Sequence, residues 1–415
     1  MNKGKPFEIS QHQVLAAYEL VKANKGAPGI DGVTFEDYEK DLKNNLYKLW
    51  NRMSSGSYFP MAVRGVEIPK KSGAGKRMLG IPTITDRTAQ MVVRMQVEPL
   101  VEPIFCEDSY GYRPNRSAID AVRVTRERCW KLDWLIEFDI KGLFDHIDHK
   151  LMMQAVRKHT DNKWTNLYIE RWLKAPMVRP DGQVVERHSG TPQGGVISPL
   201  LANLFLHFAF DRWMETQTPD NPWARYADDG VIHCHSKAEA ENMLNRLKNR
   251  MAACGLEIHP EKTRIVYCKD GRRQGNHEHT EFEFLGYSFR NRTTKAKTGI
   301  YFNGFNPAVS KKSVQHLRDR LRDIRRMSGI KKIEDLAAAM NPIVQGWANY
   351  FMRFCASEAK GVLSKVNLAL VRWAMRHFRS LRRQPAKALD WLGQVANARP
   401  NLFVHWKMGL APMAG

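Results

Sequence analysis

Cysteine is sparse and scattered in this 415-residue sequence: Cys106, Cys129, Cys234, Cys254, Cys268 and Cys355 lie far apart with no CxxC pair. That spacing indicates neither a zinc module nor a disulfide framework, and it suits a reducing compartment. The N-terminus MNKGKPFEISQHQ has no apolar core, and no stretch approaches the roughly 18 apolar residues of a membrane span. Secretion and membrane insertion are therefore not expected, and the cytoplasm is the expected location. Internal repeats and low-complexity segments are also missing. Acidic residues are few for the basic ones, 43 Asp plus Glu against 65 Lys plus Arg, which leaves a net charge of +22 and a pI near 9.8. Such a balance points to a polyanionic partner, nucleic acid first, with a merely basic soluble or ribosome-like protein as the alternative.

What is present reads as a folded chain. Hydrophobic residues make up 43%, aromatic 10% and charged 26%, the balance of an ordered protein long enough for two or three domains. Val14, Leu15, Tyr18 and Val21 recur at helical spacing, and NKGAPGIDG (24–32) then punctuates with glycine and proline. A helix is expected through Tyr38, Leu42, Leu46 and Leu49. VRGVEIPKKSGAGKRMLGIP reads as two strands around a Gly- and Lys-rich tip. Helices are expected over 85–105 and over 113–130, the latter begun near Asn115. WLIEFDI (134–140) is a short apolar run that carries an acid to the edge of a buried sheet. A helix follows GTPQGG over 193–214, and ARYADD with GVIHCH (224–235) reads as a hairpin with Asp228 and Asp229 at its tip. Beyond residue 306, helical stretches near 311–327, 333–354 and 359–383, with the remainder of the chain, carry 20 basic and 6 acidic residues. Residues 386–415 read as a basic tail, a short DNA- or RNA-binding appendage.

The aspartates carry the chemistry. Nucleotidyl transfer uses two divalent cations about 3.5–4 Å apart, and hard Mg²⁺ asks for carboxylate oxygens. Asp139 at a strand end and Asp228 at a hairpin tip could supply them, with Asp229 beside them. Taken singly, each is more readily a solvated turn residue or helix cap. His233, Cys234 and His235, like His277 and His279, lack a second ligand pair at zinc-like spacing and read as structural.

FDIKGLFDHIDH (138–149), GTPQGGVISPLLANLFL (190–206) and RYADDGVI (225–232) resemble, in order and spacing, the three central motifs of reverse transcriptases. The pattern is most similar to that of bacterial group II intron reverse transcriptase-maturases. Further matches are LGIPTITDRTAQ, EDSYGYRPNRSA, GLEIHPEKT, FEFLGYSF and NPIVQGWANYF, so the likeness runs through nearly the whole chain. The resemblance implies two Mg²⁺ ions, with Mn²⁺ an acceptable substitute, held by Asp139, the backbone carbonyl of Ile140, Asp228 and Asp229. It implies that Phe144 excludes the ribose 2′-hydroxyl, that Gln193 contacts the incoming nucleotide, and that Lys70 and Arg77 clamp its phosphates, with Lys76 a neighbouring candidate. Lys262 corresponds to a lysine placed to protonate pyrophosphate, and FEFLGYSF to the element that grips the primer.

The expected architecture is α+β: a right-hand polymerase with fingers at 1–130, an antiparallel-sheet palm at 131–305 and an α-helical thumb and maturase domain at 306–385. The expected partners are group II intron RNA, an RNA template with DNA or RNA primer, deoxynucleoside triphosphates and target DNA. The sequence shows no zinc-containing HNH endonuclease module, so target-strand nicking by this chain is not expected. Two rivals stand beside this reading: a catalytically silent RNA-binding splicing factor, and a defence or repair reverse transcriptase outside introns.

Overall fold

The computed structural model describes residues 5–69, 75–295, 298–327 and 329–413. The chain divides into two compact units, Met1–Ser117 with Ile136–Arg264, and Ala118–Leu135 with Ile265–Gly415.

In the first unit, helix Gln11–Ala23 begins with a capping box: the Ser10 hydroxyl accepts from Gln13 N–H and the Gln13 side chain accepts from Ser10 N–H. Its buried face, Val14, Ala17, Tyr18 and Val21, packs on helix Ile84–Val101. The loop between residues 24 and 32 is ordered by Arg87, which donates to the Ala27 carbonyl at 2.9 Å. Where one helix was expected through Tyr38 and Leu49 there are two, Phe35–Glu39 and Leu42–Ser55, because Asp41 leaves helical geometry at φ −135°. Strands Val63–Pro69 and Lys76–Ile81 form the expected hairpin, in register from Arg64↔Ile81 to Pro69↔Lys76. The tip at 70–74, and with it Lys70, lies outside the described residues. Met177–Val178 adds to this hairpin in parallel, which makes the sheet mixed.

Strand Trp134–Asp139 neighbours the hairpin of Trp223–Tyr226 and Asp229–Cys234, and the hairpin closes on the pair Tyr226↔Asp229. The segment after GTPQGG becomes helical only at Ser198, with Pro199 in the first turn where its missing N–H costs nothing. Helix Ser198–Leu206 then passes through a wider turn, His207–Asp211, before continuing as Arg212–Gln217.

The second unit has a three-stranded antiparallel sheet, Phe282–Phe284, Tyr287–Lys295 and Tyr301–Val309, followed by helices. FEFLGYSF is a tight hairpin whose turn residues Leu285 and Gly286 both have positive φ, 51° and 83°, as a two-residue primed turn requires. The Tyr350 hydroxyl donates to the Leu285 carbonyl at 2.8 Å, so NPIVQGWANYF clamps that turn. Tyr350 and Phe351 also pack their rings on Tyr287, with centroids at 5.3 and 5.1 Å. The helix expected over 113–130 begins only at Ala118, since Asn115 sits in the left-handed region at φ 59°.

Helices Lys311–Arg326, Ile333–Phe351, Ala356–Ser364 and Val366–His377 bury Leu321, Leu336, Met340, Leu370 and Trp373 in one core. Leu392 of helix Pro385–Ala398, with Phe403 and Trp406, enters the same core. The segment read from sequence as a basic tail thus builds the helical core. The class is α+β: helices stand before and between the strands, and an all-helical region follows the last strand. No helix among the described residues is long and apolar enough to cross a membrane.

Candidate active site

Three carboxylates meet where strand Trp134–Asp139 runs out beside the Asp228–Asp229 hairpin. The Ile140 N–H donates to the Asp228 carbonyl at 3.1 Å, and His259 N–H donates to the Asp139 carbonyl at 2.8 Å, which fixes the strand end from both sides. Ile140, whose carbonyl was expected as a metal ligand, is therefore held against the hairpin turn. Gly230 lets the hairpin lie flat: a Cβ there would stand 2.3 Å from the Phe138 ring. Asp229 reaches Asp139 by a side-chain hydrogen bond, and Lys262 Nζ donates to Asp139 Oδ2 at 2.8 Å.

Burial raises the Asp228 carboxyl above its ordinary range, with the Asp139 charge adding to it. Burial, then Asp228 and Asp139, push the Asp229 carboxyl up to about 7. At Lys262 burial acts downward but is outweighed by the hydrogen bond and charge of Asp139, so the amine is held more firmly protonated. Asp139 and Asp228 are half-buried and Asp229 stands at the exposed rim; three acids against one lysine make a negatively overcharged site, and carboxylate oxygens on rigid backbone are what a hard divalent ion needs. The residues fit such an ion. Asp229 then makes metal binding proton-coupled: apparent Mg²⁺ affinity should fall about tenfold per pH unit below about 7. Its folded carboxyl holds a proton more tightly than the unfolded one. The metal-free fold therefore loses this group's stability as pH rises from about 4 to about 7, and Mg²⁺ offsets the loss. Thermal melting with and without Mg²⁺ should show a larger metal-induced rise at pH 8 than at pH 5.5, a difference that Asp229→Asn should shrink.

Beneath the hairpin turn lies Arg225, one of the largest fully buried side chains. Its guanidinium donates to Asp211 Oδ1 and Oδ2 at 2.8 and 2.7 Å, to Asn203 Oδ1 at 3.1 Å, to Ser109 Oγ at 2.7 Å and to the Ala227 carbonyl at 3.2 Å. Ala227 stands at φ 57°, a conformation a residue with a Cβ holds only when its surroundings impose it, and Arg225 supplies that constraint. Asn203 in turn donates to the Gly111 carbonyl at 2.6 Å, and Tyr110 N–H to the Arg225 carbonyl at 2.8 Å. So YGYRP, GVISPLLANLFL and RYADD, far apart in sequence, form one support.

Phe144 sits on the short helix Leu143–His146, directly after Asp139–Gly142, and its carbonyl accepts from Thr191 N–H at 2.6 Å. Gln193 follows two residues later, and its carbonyl accepts from Gly80 N–H at 2.8 Å. The turn that bears Gln193 thus bridges Phe144 and the strand that bears Arg77. Arg77 is exposed, while Lys76, on the opposite face, pairs with Glu67 at 2.6 Å. Burial raises the Tyr112 hydroxyl, the Asp228 charge adds to this, and Arg77 opposes it, so Tyr112 lies within electrostatic reach of both hairpin and carboxylates. Of Lys76 and Arg77, Arg77 is the one whose charge reaches Tyr112, while Lys76 is taken up by Glu67.

Sequence reading missed Tyr112, Asp145 and the Arg225–Asp211 pair. An arginine next to a catalytic motif invites a surface reading, and only the fold puts Asp211 under it. Cys106, His207 and Asp211 do bring a thiol, an imidazole and a carboxylate within 4.8 Å of one another. Both Asp211 oxygens are taken by Arg225, and burial moves His207 down to about 4, so this group is structural. His277 packs against Trp134 and Tyr267, with ring centroids at 4.6 and 4.4 Å.

Comparison with known families agrees with this geometry. The model described as "Reverse transcriptase (RNA-dependent DNA polymerase)" matches residues 68–289, and that described as "Group II intron, maturase-specific domain" matches 314–389. "Group II intron-encoded protein LtrA" of Lactococcus lactis subsp. cremoris is 38% identical over 192 residues, 46% of this chain and 32% of that protein. "Protein YkfC" of Escherichia coli is 32% identical over 319 residues, 67% of this chain and 81% of that protein. "Nuclear intron maturase 1, mitochondrial" of Arabidopsis thaliana is 26% identical over 219 residues, 39% of this chain and 30% of that protein. The matched region thus spans about a third of the length of the first of these relatives. With the reverse transcriptase match covering more than half of its length and a maturase-specific domain following, the chain belongs to the reverse transcriptase family, in its group II intron-encoded reverse transcriptase-maturase branch.

Proposed function

We propose that the chain is an RNA-directed DNA polymerase that copies RNA into cDNA and binds group II intron RNA to assist its splicing and mobility. The observation that carries the reading is the convergence of Asp139, Asp228 and Asp229 at one strand end and hairpin turn, beside one lysine. Asp139, the Ile140 carbonyl, Asp228 and Asp229 would hold Mg²⁺, which when bound lowers the pKa of the primer 3′-hydroxyl and neutralises the leaving pyrophosphate. The chain's own residues do the rest. Lys262, kept protonated beside Asp139, is the acid for pyrophosphate. Arg77, with Lys70 and Lys76 near the hairpin tip, offers donors to the triphosphate. Phe144 limits the space below the sugar, and Gln193 contacts the nucleotide. In this reading residues 1–130 are the fingers, 131–305 the palm and the helices from 306 the thumb and maturase domain. The substrates are deoxynucleoside triphosphates on an RNA template with a DNA or RNA primer, and target DNA receives the product. The test is primer extension on an RNA template with Mg²⁺ and deoxynucleotides. If the chain binds RNA but makes no DNA, the splicing-factor reading replaces this one.

The helical region supports the RNA-binding half. Helices Lys311–Arg326, Ala356–Ser364 and Val366–His377 line a cavity of about 330 Å³ with Arg318, Arg322, Arg325, Lys365 and Arg372 and no acidic side chain. Burial, then Arg376 and Arg372, act against the charge on Arg325, whose Nε has no partner. Like charges gathered this way are relieved by phosphate oxygens. A triple variant R318Q/R325Q/R372Q should flatten the dependence of log K on log salt for RNA binding by about 2–3, at ~0.7–0.9 per phosphate lost. Fluorescence anisotropy across a salt series reads this, and an unchanged slope would remove the cavity from the RNA interface.

A further inference from the structure

The Asp145 carboxylate has a partner that no motif assigns to it: Gln193 Nε2 donates to Asp145 Oδ2 at 3.0 Å. An ionised carboxylate only accepts hydrogen bonds, so the Gln193 amide must turn its NH₂ toward Asp145. Its other end, Oε1, is then left as an acceptor, and it has no donor among the described hydrogen bonds. The backbone around the pair leaves little else free. Gly190 N–H donates to the Ile147 carbonyl at 2.7 Å, Thr191 N–H to the Phe144 carbonyl at 2.6 Å, and Ser189 Oγ to the Asp145 carbonyl at 3.0 Å. The two turns approach so closely that a Cβ on Gly190 would stand 2.5 Å from the Phe144 carbonyl oxygen, and Gly190 itself is at φ 79°. On the other side Gly80 N–H holds the Gln193 carbonyl. With its backbone fixed, the remaining freedom at Gln193 is the rotation of its side chain, and Asp145 removes it. Arg187 is the cation nearby, and the Asp145 charge acts on it.

We propose that Asp145 is a positioning residue that sets the Gln193 amide with its carbonyl oxygen toward the incoming nucleotide, making it an acceptor for the sugar hydroxyl. This rests on the polymerase reading and adds a specificity element to it. A deoxynucleoside triphosphate carries a single sugar hydroxyl, at the 3′ position, so that hydroxyl is the donor an acceptor-only Gln193 would select. Phe144 would then police the 2′ position by bulk, while Asp145 and Gln193 require the 3′-hydroxyl by hydrogen bonding. The absent-partner logic makes this the sharper filter, because an acceptor that a bound nucleotide covers and leaves unfilled is costly.

The test is steady-state primer extension on an RNA template, with deoxynucleotides and with their 3′-deoxy analogues, for the unaltered chain, Asp145→Ala, Asp145→Asn, Gln193→Ala and the Asp145→Ala/Gln193→Ala pair. Asp145→Ala should raise KM for deoxynucleotides about tenfold, the worth of one hydrogen bond, with kcat within about threefold. Discrimination against the 3′-deoxy analogues should fall by a similar factor. Asp145→Asn keeps an acceptor oxygen and should stay within about threefold of the unaltered chain. In the Gln193→Ala background, Asp145→Ala should add nothing. Asp145 is exposed, so a merely structural effect would show as a lowered melting temperature with kcat and KM changing together, which would overturn the proposal. Additive losses in the double variant, or unchanged KM and unchanged discrimination in Asp145→Ala, would overturn it while leaving the polymerase reading intact. No DNA from the unaltered chain would overturn both.

Discussion

Asp228→Ala should lower the kcat of primer extension by at least about 10³-fold while leaving the fold as stable at neutral pH as before, or more so. The two halves of that expectation come from one fact. Losing a ligand of the reaction's metal ions removes stabilisation of charge that develops only in the transition state, and single preorganised groups of that kind are worth about 10²–10³ in rate. In the metal-free protein, however, the Asp228 carboxylate is a burden. Burial and the charge of Asp139 both raise its pKa, so ionising it works against folding. Removing it relieves that cost. Primer extension measured beside thermal melting without Mg²⁺ separates the two: inactive and unfolded would mean a structural aspartate, inactive and intact a functional one. Activity within tenfold of the unaltered chain would sink the assignment of Asp228 to the metal site. The same contrast weighs against the silent splicing-factor reading, in which three clustered acids would burden the fold with no use for them.

Asp211→Asn should cost about 3–5 kcal/mol, the largest stability loss expected from a single substitution. It removes the negative charge that compensates Arg225, whose side chain and that of Asp211 are both 0% exposed, and leaves a guanidinium in a pocket with only neutral acceptors. Burial alone would push the Asp211 carboxyl up, and Arg225 opposes this, so the pair is sustained by each partner's presence. Replacing both with apolar residues should cost less than breaking the pair, since no charge is then stranded. Because the chain has two compact units, the quantity to read is the first unfolding transition in urea and not a single global value. Activity should fall with it, as Arg225 also holds the Ala227 carbonyl and so the aim of Asp228. A midpoint shift corresponding to less than about 1 kcal/mol would mean that the Asn203 and Ser109 bonds suffice without the ion pair.

The local elements were largely legible because their signals are local. Apolar positions at helical spacing mark the helix Gln11–Ala23, and β-rich runs around a glycine- and lysine-rich stretch mark the hairpin of Val63–Pro69 and Lys76–Ile81. Where the reading slipped, a backbone dihedral decided: Asn115 at φ 59° delays a helix to Ala118, and Asp41 at φ −135° splits another. Periodicity carries no information about either. Helix Pro385–Ala398 was passed over because the basic residues flanking it, Arg382, Arg383 and Arg399, set the character of the segment, while Leu392 and its neighbours join the core.

For the site, the sequence alone pointed to the side chains proposed to carry the chemistry. Asp139, Asp228 and Asp229 stand in short motifs whose local geometry, a strand end and a hairpin turn, follows from neighbouring residues. The net charge of +22 indicated a polyanionic partner without any fold. Tertiary structure decided how these groups are held and tuned. Asp139 and Asp229 are 90 residues apart in sequence, yet desolvation and the charges of Asp228 and Asp139 raise Asp229 to about 7. Arg225 meets Ser109 across 116 positions, and Gln193 meets Asp145 across 48. Hydrogen bonds and desolvation act over a few ångströms in space, and a linear pattern cannot state which distant residues the fold will bring that close.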